Sequence, residues 1–237
     1  GKIIVVLDRR LVPAFQRAFV NIEFVDKDKE LNLHYDYHIP LPSLGRIFIK
    51  DKNWFLTSAP FLTDDKEKTA MIRGELNQVA VGDKEFCGVS WRSKNIDIGA
   101  DKTIFLQDLS PIFDAQQFNF IDLQYGDTSA ERRKLKSKNK LKKVESIDNF
   151  EDIDHLISLI QLCKYVVTTS NTTAHLAGAL GKKTFLLVPF AKGKLWYWHA
   201  INGYSLWYPN TEIFEQCPNE GWVKTIMMVK ERMGQVR

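Results

Sequence analysis

The sequence predicts an α/β fold in which helices alternate with the strands of parallel sheets. Three observations lead to this prediction. Short apolar runs that suit buried strands alternate with helical stretches along the chain. The run KYVVTTSNTTAHLAGALGKKTFLL, residues 164–187, contains one complete unit of strand, polar elbow, helix and strand. The 237 residues are 44% hydrophobic and 12% aromatic, which suffices for the core of one large domain or two small ones.

The first half of the chain follows this rhythm as far as the break Val81-Gly82-Asp83, where we place a domain boundary. The two predicted domains are residues 1–82 and 83–237. Thr63 is the predicted N-cap of the last helix before the boundary. Pro40 and Pro42 end the third strand, and a short helical turn follows them. We predict strands over residues 2–7, 21–25 and 35–39, helices over 11–20 and 64–79, and the helical turn at 43–48.

The second half repeats the alternation with short loops. Asn149 is the predicted cap of the helix that follows it, and Ser170 or Asn171 caps the helix of the elbow unit. Gly181 ends that helix. Residues 189–209 are predicted to form one long loop. We predict strands over residues 85–91, 118–124, 141–144, 165–167 and 184–188, and helices over 105–113, 129–138, 150–162, 172–180 and 222–233.

Composition excludes several classes of protein. No apolar run approaches the ~20 residues of a membrane span. The three cysteines are far apart and have no metal-ligand spacing, so we expect free thiols and a cytoplasmic location. The first residues enter a strand at once, which is compatible with a piece of a longer protein. The formal charge of +4 comes from a basic run over residues 132–143, which is either a solvated face or a patch for an anionic partner. No aromatic residue interrupts this run, so we expect no nucleic-acid partner.

The elbow at residues 168–173, TTSNTT, is the strongest candidate binding site. A helix that starts at the carboxyl end of a parallel strand presents free backbone N–H groups and the positive end of its dipole. Hydroxyl and amide side chains around that end add donors without bulk. This combination suits a phosphate group.

Three further polar segments are predicted to meet the elbow at the same edge of the sheet, where ligands of such folds bind. Arg92 and Lys102 supply cations suited to a diphosphate. If this loop is considered alone, an exposed loop with ordinary surface charges is an equally good interpretation. The segment 124–127, QYGD, offers a close backbone approach at Gly126 and a ribose acceptor at Asp127, but an ordinary turn explains it equally well. His175 lies one turn into the helix, where a structural role is twice as frequent as a chemical one.

The last of these segments is the aromatic loop, residues 189–209. Loops of this length in compact domains are usually functional. Its rings can stack on a sugar or a base, and its lysines can meet phosphate. Packing of the rings onto the protein itself is the alternative. The residues that we assign to the sugar are Lys192, Lys194, Trp196 and Trp198.

Other common chemistries lack support in the sequence. There is no GxGxxG motif, no Walker A motif, no Ser-His-Asp or Cys-His arrangement and no paired acidic motif for a metal. We therefore predict no metal and no cofactor other than a nucleotide substrate.

Five stretches together resemble a known group of proteins; they read GVSWRSK, FIDLQYGD, DNFEDIDHLISLIQLCKYVVTTSNTTAHLAGALGKKTFLLVPF, LWYW and SLWYPNTEIFEQ. They look like the C-terminal module of bacterial tetratricopeptide-repeat proteins. That module is similar to glycosyltransferase family 9, the ADP-heptose:lipopolysaccharide heptosyltransferases, which have the GT-B fold. The resemblance implies two Rossmann-like domains facing a cleft, of which the N-terminal one is incomplete here.

The resemblance also implies roles for individual residues. Ser170 to Thr173 with His175 match the family's diphosphate elbow, except that Ser170 and Asn171 replace the usual Asp-Thr pair. Phe150 lies where the base of the nucleotide is expected. No residue matches the catalytic base. The implied diphosphate-binding residues are Ser90, Arg92, Ser93, Lys102, Ser170, Asn171, Thr172, Thr173 and His175, and the nucleoside-binding residues are Gln124, Tyr125, Gly126, Asp127 and Phe150.

The leading functional hypothesis is a module that binds a nucleotide-diphosphate-sugar for inverting, metal-independent transfer to a glycan or protein acceptor. The alternative is a non-catalytic scaffold of the same fold beside tetratricopeptide repeats. A third class, a UDP-sugar epimerase of the non-hydrolysing kind, shares the GT-B architecture and predicts turnover of the nucleotide-sugar without an acceptor.

Overall fold

The computed structural model describes residues 1–29, 34–135 and 141–235, with residues 56 and 57 described by their backbone alone. Its strands are β1 (Ile4–Leu7), β2 (Glu23–Asp26), β3 (Glu85–Ser90), β4 (Phe118–Asp122), β5 (Tyr165–Thr169), β6 (Lys183–Val188), β7 (Ala200–Ile201), β8 (Tyr204–Ser205) and β9 (Thr211–Glu215). Its α-helices are α1 (Val12–Ala18), α2 (Ser43–Phe48), α3 (Lys66–Val79), α4 (Gly99–Lys102), α5 (Ser110–Phe113), α6 (Ser129–Lys134), α7 (Ile153–Leu162), α8 (Thr172–Ala179) and α9 (Val223–Gln235). Within these ranges, every helix is too short or too polar to cross a membrane.

The second half of the chain forms a sheet with the strand order β4-β3-β5-β6-β9-β8-β7. The five strands from β4 to β9 pair in parallel, and the two short strands at the far edge pair antiparallel. In the first half, β1 and β2 pair in parallel as a separate sheet. The predicted α/β class with parallel sheets is confirmed.

Helices cover both faces of the main sheet, so its central strands are buried on each side. One buried cluster joins the sheet to α5 and α9, with Phe113, Phe185 and Ile226 among its members. The other joins it to α7 and α8 and includes Ile72 and Leu76 of α3. Residues before the predicted boundary at residue 82 therefore pack into the core of the second half.

Two predictions for the first half, one strand and one helix cap, were wrong. Residues 35–39 form no strand, because no strand of the described chain pairs with this segment. Tyr37 within it is 93% exposed. Asp65 rather than Thr63 caps α3, where its carboxylate accepts from the N–H groups of Glu67 and Lys68. The spacing of apolar residues located the helix, but several polar residues in a row left the choice of cap open.

The second half needs similar corrections. Asp152 caps α7 in place of Asn149. The predicted helix over 105–113 is helical only in α5, where Pro111 occupies the first turn that suits proline. The predicted strand over 141–144 is a single bridge between Lys142 and Ile121. The helix predicted to reach residue 138 ends at Lys134, and residues 136–140 lie outside the described residues. The aromatic loop contains a 3-10 helix, Trp196–Trp198, and the hairpin of β7 and β8.

Gly178 gives a test of the packing between α8 and the aromatic loop. A Cβ atom there would lie 2.4 Å from Cγ of Tyr208, so Gly178→Ala forces the ring away. We expect a loss of about 2 kcal/mol in the free energy of unfolding, measured by urea denaturation. Gly74→Ala is the matched control, because its Cβ would meet nothing within 4 Å in helix α3. The control should gain about 1 kcal/mol, and equal effects of the two substitutions would refute the close contact.

Candidate functional site

A cavity of about 480 Å³ opens at the carboxyl ends of the central strands. The elbow between β5 and α8, the loop after β3 and the segment after β4 form its walls. Asp8 and Arg10, just after β1, close it from the first half of the chain. We call this cavity the donor pocket, after the nucleotide-sugar donor that the sequence predicts there. Its lining includes Asp8, Arg10, Ser93, Lys94, Asn95, Lys102, Tyr125, Asn149, Phe150, Ser170, Asn171, Thr172, Thr173, His175 and Tyr197.

The elbow is held by Asn171, whose side chain is buried. Its Oδ1 accepts from the N–H of Ala174 and so caps α8, which settles the open choice between Ser170 and Asn171. Its Nδ2 donates to Oγ of Ser90 over 2.7 Å and to the carbonyl of Arg92 over 3.1 Å. One side chain thus starts the helix and fastens it to the loop after β3.

Lys102 ends the short helix α4 and is 4% exposed. Burial lowers its pKa. No carboxylate of the described residues lies within 4 Å of its ammonium group, which is unusual because buried charges are normally paired. The group lines the donor pocket beside the elbow. An anion placed there would supply the missing partner.

Two aromatic rings and two cations form the other end of the pocket. The rings of Tyr125 and Phe150 lie 6.0 Å apart. The Lys94 ammonium group lies 5.6 Å from the Tyr125 ring and 5.7 Å from that of Phe150. The Arg10 guanidinium lies 4.6 Å from the Phe150 ring. Phe150 is 42% exposed, so one part of this ring is open to a ligand.

Asp8 is the acidic residue in the described lining of the donor pocket, and it forms an ion pair with Arg10. The guanidinium donates to both carboxylate oxygens, over 2.9 and 3.2 Å. These hydrogen bonds hold the pKa of Asp8 well below its usual range. A carboxylate with such a low pKa is a weak proton acceptor at neutral pH.

His175 lies at the inner wall of the pocket. Its ring stacks on Trp198 with a centroid distance of 4.7 Å, and its Nδ1 lies 3.2 Å from the hydroxyl of Tyr208. Burial, with a contribution from the Lys102 charge, lowers the pKa of His175 to about 4. The imidazole is therefore neutral at physiological pH.

Three of the predicted site residues anchor the loops and do not line the pocket. Gln124 is fully buried, and its Oε1 accepts from the N–H groups of Trp91 and Arg92 and from Oγ of Ser90. The Arg92 guanidinium pairs with Glu131 and donates to the carbonyls of Tyr125 and Asp127. Ser90, Arg92 and Gln124 thus join β3 to β4 and lie outside the lining of this pocket.

The remaining predicted residues also lie outside the pocket lining. Asp127 binds the N–H of Ser129 in the turn before α6, and Gly126 takes a φ of 77° in that turn. In the aromatic loop, the ammonium group of Lys192 lies 3.6 Å from Asp101, and that of Lys194 lies 2.7 Å from Glu215. Trp198 is buried and donates from Nε1 to Oγ of Ser170, whereas Trp196 is 69% exposed and faces another cavity.

The structure brings the other predicted residues together. Ser93, Lys102, Tyr125, Phe150, the elbow and His175 share the donor pocket. Further polar or aromatic lining residues were not among the predicted site residues: Asp8, Arg10, Lys94, Asn95 and Tyr197. The position of Asp8 and Arg10 immediately after a predicted strand was the available signal, because strand ends meet at such edges. Asn149, predicted as a cap, instead donates to the carbonyls of Asp122 and Gln124 under the pocket.

Behind the pocket, Asp122 ends β4 with no exposed surface. Its carboxylate accepts from the N–H of Gln124 and from the hydroxyl of Thr128, and Arg132 lies 3.4 Å away. Burial nevertheless outweighs these partners and raises the pKa of Asp122 to about 6. The structure therefore keeps a proton there that the unfolded chain releases near pH 3.8.

This difference predicts an unusual pH dependence. Because the folded protein holds the Asp122 proton more tightly, the carboxyl group stabilises the fold below about pH 4, and this contribution is lost as the pH rises through 6. His175 acts in the opposite direction, since its folded pKa of about 4 lies below 6.5. Asp122→Asn should therefore gain about 2 kcal/mol relative to the unsubstituted chain between pH 4 and pH 7. Urea denaturation across this range tests the prediction, and a constant difference would contradict it.

Among the described residues, no group of three or more His, Cys, Asp or Glu side chains could hold a metal ion. The polar groups of the donor pocket are hydroxyls, amides and cations, a set that suits an anionic ligand.

Comparisons with known proteins address the fold. No family model matches the chain. The protein FlbA of Caulobacter vibrioides is 25% identical over 243 residues, which cover 90% of this chain. The structure of ADP-heptose lipopolysaccharide heptosyltransferase II from E. coli matches 73% of this chain and 52% of its own, with 12% identity and a TM-score of 0.53. The chain has a GT-B glycosyltransferase-like fold. A glycosyltransferase of family 9 from Veillonella parvula matches 74% of this chain and 46% of its own, with 9% identity and a TM-score of 0.48.

The glycosyltransferase-like fold places the donor pocket in context. The pocket lies at the carboxyl edge of the parallel sheet, where ligands of doubly wound folds bind. The chain spans 38% of the length of FlbA and 52% of that of heptosyltransferase II.

Proposed function

We propose that the donor pocket binds a nucleotide-diphosphate-sugar and that the whole protein transfers the sugar to an acceptor with inversion and without a metal. One observation carries the proposal. A single pocket joins the free N–H groups of α8 and the unpaired ammonium of Lys102 to the rings of Tyr125 and Phe150. The first two suit a diphosphate and the rings suit a nucleobase. The glycosyltransferase-like fold supports the same class of ligand.

The chemistry of transfer fits this arrangement. The acceptor hydroxyl oxygen forms a bond to the anomeric carbon of the sugar, and the bond from that carbon to the diphosphate oxygen breaks. The nucleoside diphosphate leaves with the electron pair, and a base takes the hydroxyl proton. Lys102 and the N–H groups of α8 would stabilise the negative charge that develops on the leaving group.

Calorimetric titration of the folded chain tests the binding step. Nucleoside diphosphates and nucleotide-sugars with each common base should be compared with the matching monophosphates. We expect diphosphates to bind and monophosphates to bind more weakly, because Lys102 and the elbow can then hold two phosphate groups. Failure of every diphosphate to bind a well-folded chain would refute the proposal.

A second function is favoured by a specific observation. Asp8 has a lowered pKa and His175 a pKa of about 4, so both are weak proton acceptors at neutral pH. A non-catalytic module that binds the nucleotide-sugar, beside tetratricopeptide repeats in a longer protein, needs no base. A transfer assay with labelled donor and a glycan or protein acceptor separates the two functions. Transfer by the full-length protein that Lys102→Met abolishes would exclude the scaffold.

We propose a cytoplasmic location for both functions, because nucleotide-sugars are available there. A non-hydrolysing epimerase would instead convert the nucleotide-sugar without an acceptor, which the same assay detects when the acceptor is omitted.

A further inference from the structure

A second cavity lies beside the donor pocket, between the first half of the chain and the aromatic loop. Its volume is about 820 Å³, within the range of pockets that bind small molecules. Phe48, Trp54 and Phe55 line it from one side, and Trp196 and Trp207 from the other. We call it the aromatic cavity. His175 and Tyr197 line both cavities, so the two are neighbours.

The charge of the aromatic cavity is simple. No Asp or Glu side chain belongs to its described lining, and Arg46 is its cationic side chain. No carboxylate of the described residues lies within 4 Å of the Arg46 guanidinium, which is exposed at the C-terminal end of α2. His175 adds no charge at neutral pH because its pKa is about 4. The cavity therefore combines an apolar wall with one cation that has no carboxylate partner among the described residues.

The lining also restricts the class of ligand. A sugar or a nucleobase needs several hydrogen-bonding groups around it. Here the polar groups are few, and the hydroxyl of Tyr208 already lies 3.2 Å from His175. An aliphatic chain needs no such groups and gains from the burial of its surface against the rings. A terminal anion on that chain would pair with Arg46.

We propose that the aromatic cavity binds an aliphatic chain that carries one anionic group, with the chain against the tryptophan rings and the anion at Arg46. This site is separate from the proposed nucleotide site, and its occupant needs no nucleotide in order to bind.

Intrinsic tryptophan fluorescence reports on this cavity, because three of the six tryptophans line it. The chain is titrated with dodecyl phosphate, dodecanoate and dodecanol, each below the concentration at which it forms micelles, and with inorganic phosphate. We expect saturable binding of both anions, about tenfold weaker binding of dodecanol and no fluorescence change with phosphate alone. Stronger binding of dodecyl phosphate would indicate a ligand with a phosphate headgroup, and stronger binding of dodecanoate would indicate a fatty acid.

Two pairs of variants locate the binding. Gly45 lines the cavity in α2, and its Cβ would make an ordinary contact of 3.8 Å with Ile49, so we expect the larger side chain of Gly45→Leu to reduce the space in the cavity. Gly74→Leu makes the same change in α3, where nothing lies within 4 Å. Arg46→Gln removes the proposed partner of the anion, and Lys50→Gln removes a neighbouring charge that does not line the cavity.

The proposal predicts that Gly45→Leu abolishes binding of all three dodecyl compounds, whereas Gly74→Leu does not. Arg46→Gln should weaken dodecyl phosphate about tenfold and leave dodecanol unchanged, whereas Lys50→Gln should affect neither. No binding of any dodecyl compound, or equal binding by Gly45→Leu and the unsubstituted chain, would overturn the proposal. If the chain bound anionic lipid vesicles but none of the dodecyl compounds, the proposal would also be overturned, and the lining of the aromatic cavity would be a membrane-binding surface. Nucleoside diphosphate titrations of the same variants show separately whether the donor pocket works.

Discussion

Replacement of Lys102 by methionine should weaken nucleoside diphosphate binding by about 10- to 100-fold. The ammonium group is buried at the donor pocket without a carboxylate partner, so the phosphate would be its partner for a charge-assisted hydrogen bond. Such a bond contributes about 1.5–3 kcal/mol. Methionine keeps the length and the apolar stem of the side chain but removes the charge. Calorimetry on both proteins measures the change.

Lys192→Met is the matched control. The Lys192 ammonium group lies 3.6 Å from the carboxylate of Asp101, and Lys192 does not line the donor pocket. Its affinity for the nucleotide should stay within about twofold. Lys102→Met should also leave the fold at least as stable, since the lowered pKa shows that the folded protein holds the Lys102 proton less tightly than the unfolded chain. For the same reason, stability of the unsubstituted chain should gain from this group as the pH rises towards 10.5. Equal loss of affinity in both variants would show a general effect of charge.

Asn171→Ala should lower the free energy of unfolding by about 3 kcal/mol. The substitution removes the cap of α8, which contributes about 1 kcal/mol. It also removes the two hydrogen bonds that Nδ2 donates to the Ser90 hydroxyl and to the Arg92 carbonyl, each of which contributes about 1 kcal/mol. Urea denaturation measures the loss.

Asn171→Asp separates the two roles of this side chain. Aspartate still caps the helix, but it cannot donate to Ser90 and Arg92, and it places a negative charge in the donor pocket. We therefore expect a smaller loss of stability than for alanine, together with a loss of nucleoside diphosphate binding. Thr172→Ala is the control, since Thr172 is the exposed neighbour on the same turn. Full stability of Asn171→Ala would show that the elbow does not depend on the bond to the loop after β3.

Local residue patterns were enough to predict the main elements of the second half. The strands β3 and β5 contain the short apolar runs FCGV and YVV, and Gly181, with a φ of 72°, takes the left-handed conformation that commonly follows the end of a helix. The elbow was predicted, and its observed N-cap, Asn171, was one of the two predicted candidates. Such features depend on neighbours in the chain, whose preferences are present in any context.

The direction of polar side chains could not be predicted in the same way. Arg92 and Gln124 were assigned to the ligand because they follow strands at the correct edge. In the structure, the Arg92 guanidinium forms an ion pair with Glu131, and Oε1 of Gln124 accepts a hydrogen bond from the backbone N–H of Arg92 after β3. Trp198 of the aromatic loop donates to Ser170 and supports the elbow from behind. Each of these partners comes from another segment of the chain, and a polar group near the interior is drawn to whichever partner removes its desolvation cost.

The sequence by itself determined the α/β class, the alternation of strands and helices in the second half, and the position of the polar elbow at the start of α8. These follow from the spacing of apolar residues and from local capping, which act over a few residues. Only the tertiary structure decided which cations face the donor pocket, that Asp8 and Arg10 close it from the first half, and that the aromatic loop forms a second cavity at Arg46. These features need segments that are far apart in the chain to meet, and burial of their shared apolar surface determines where they meet.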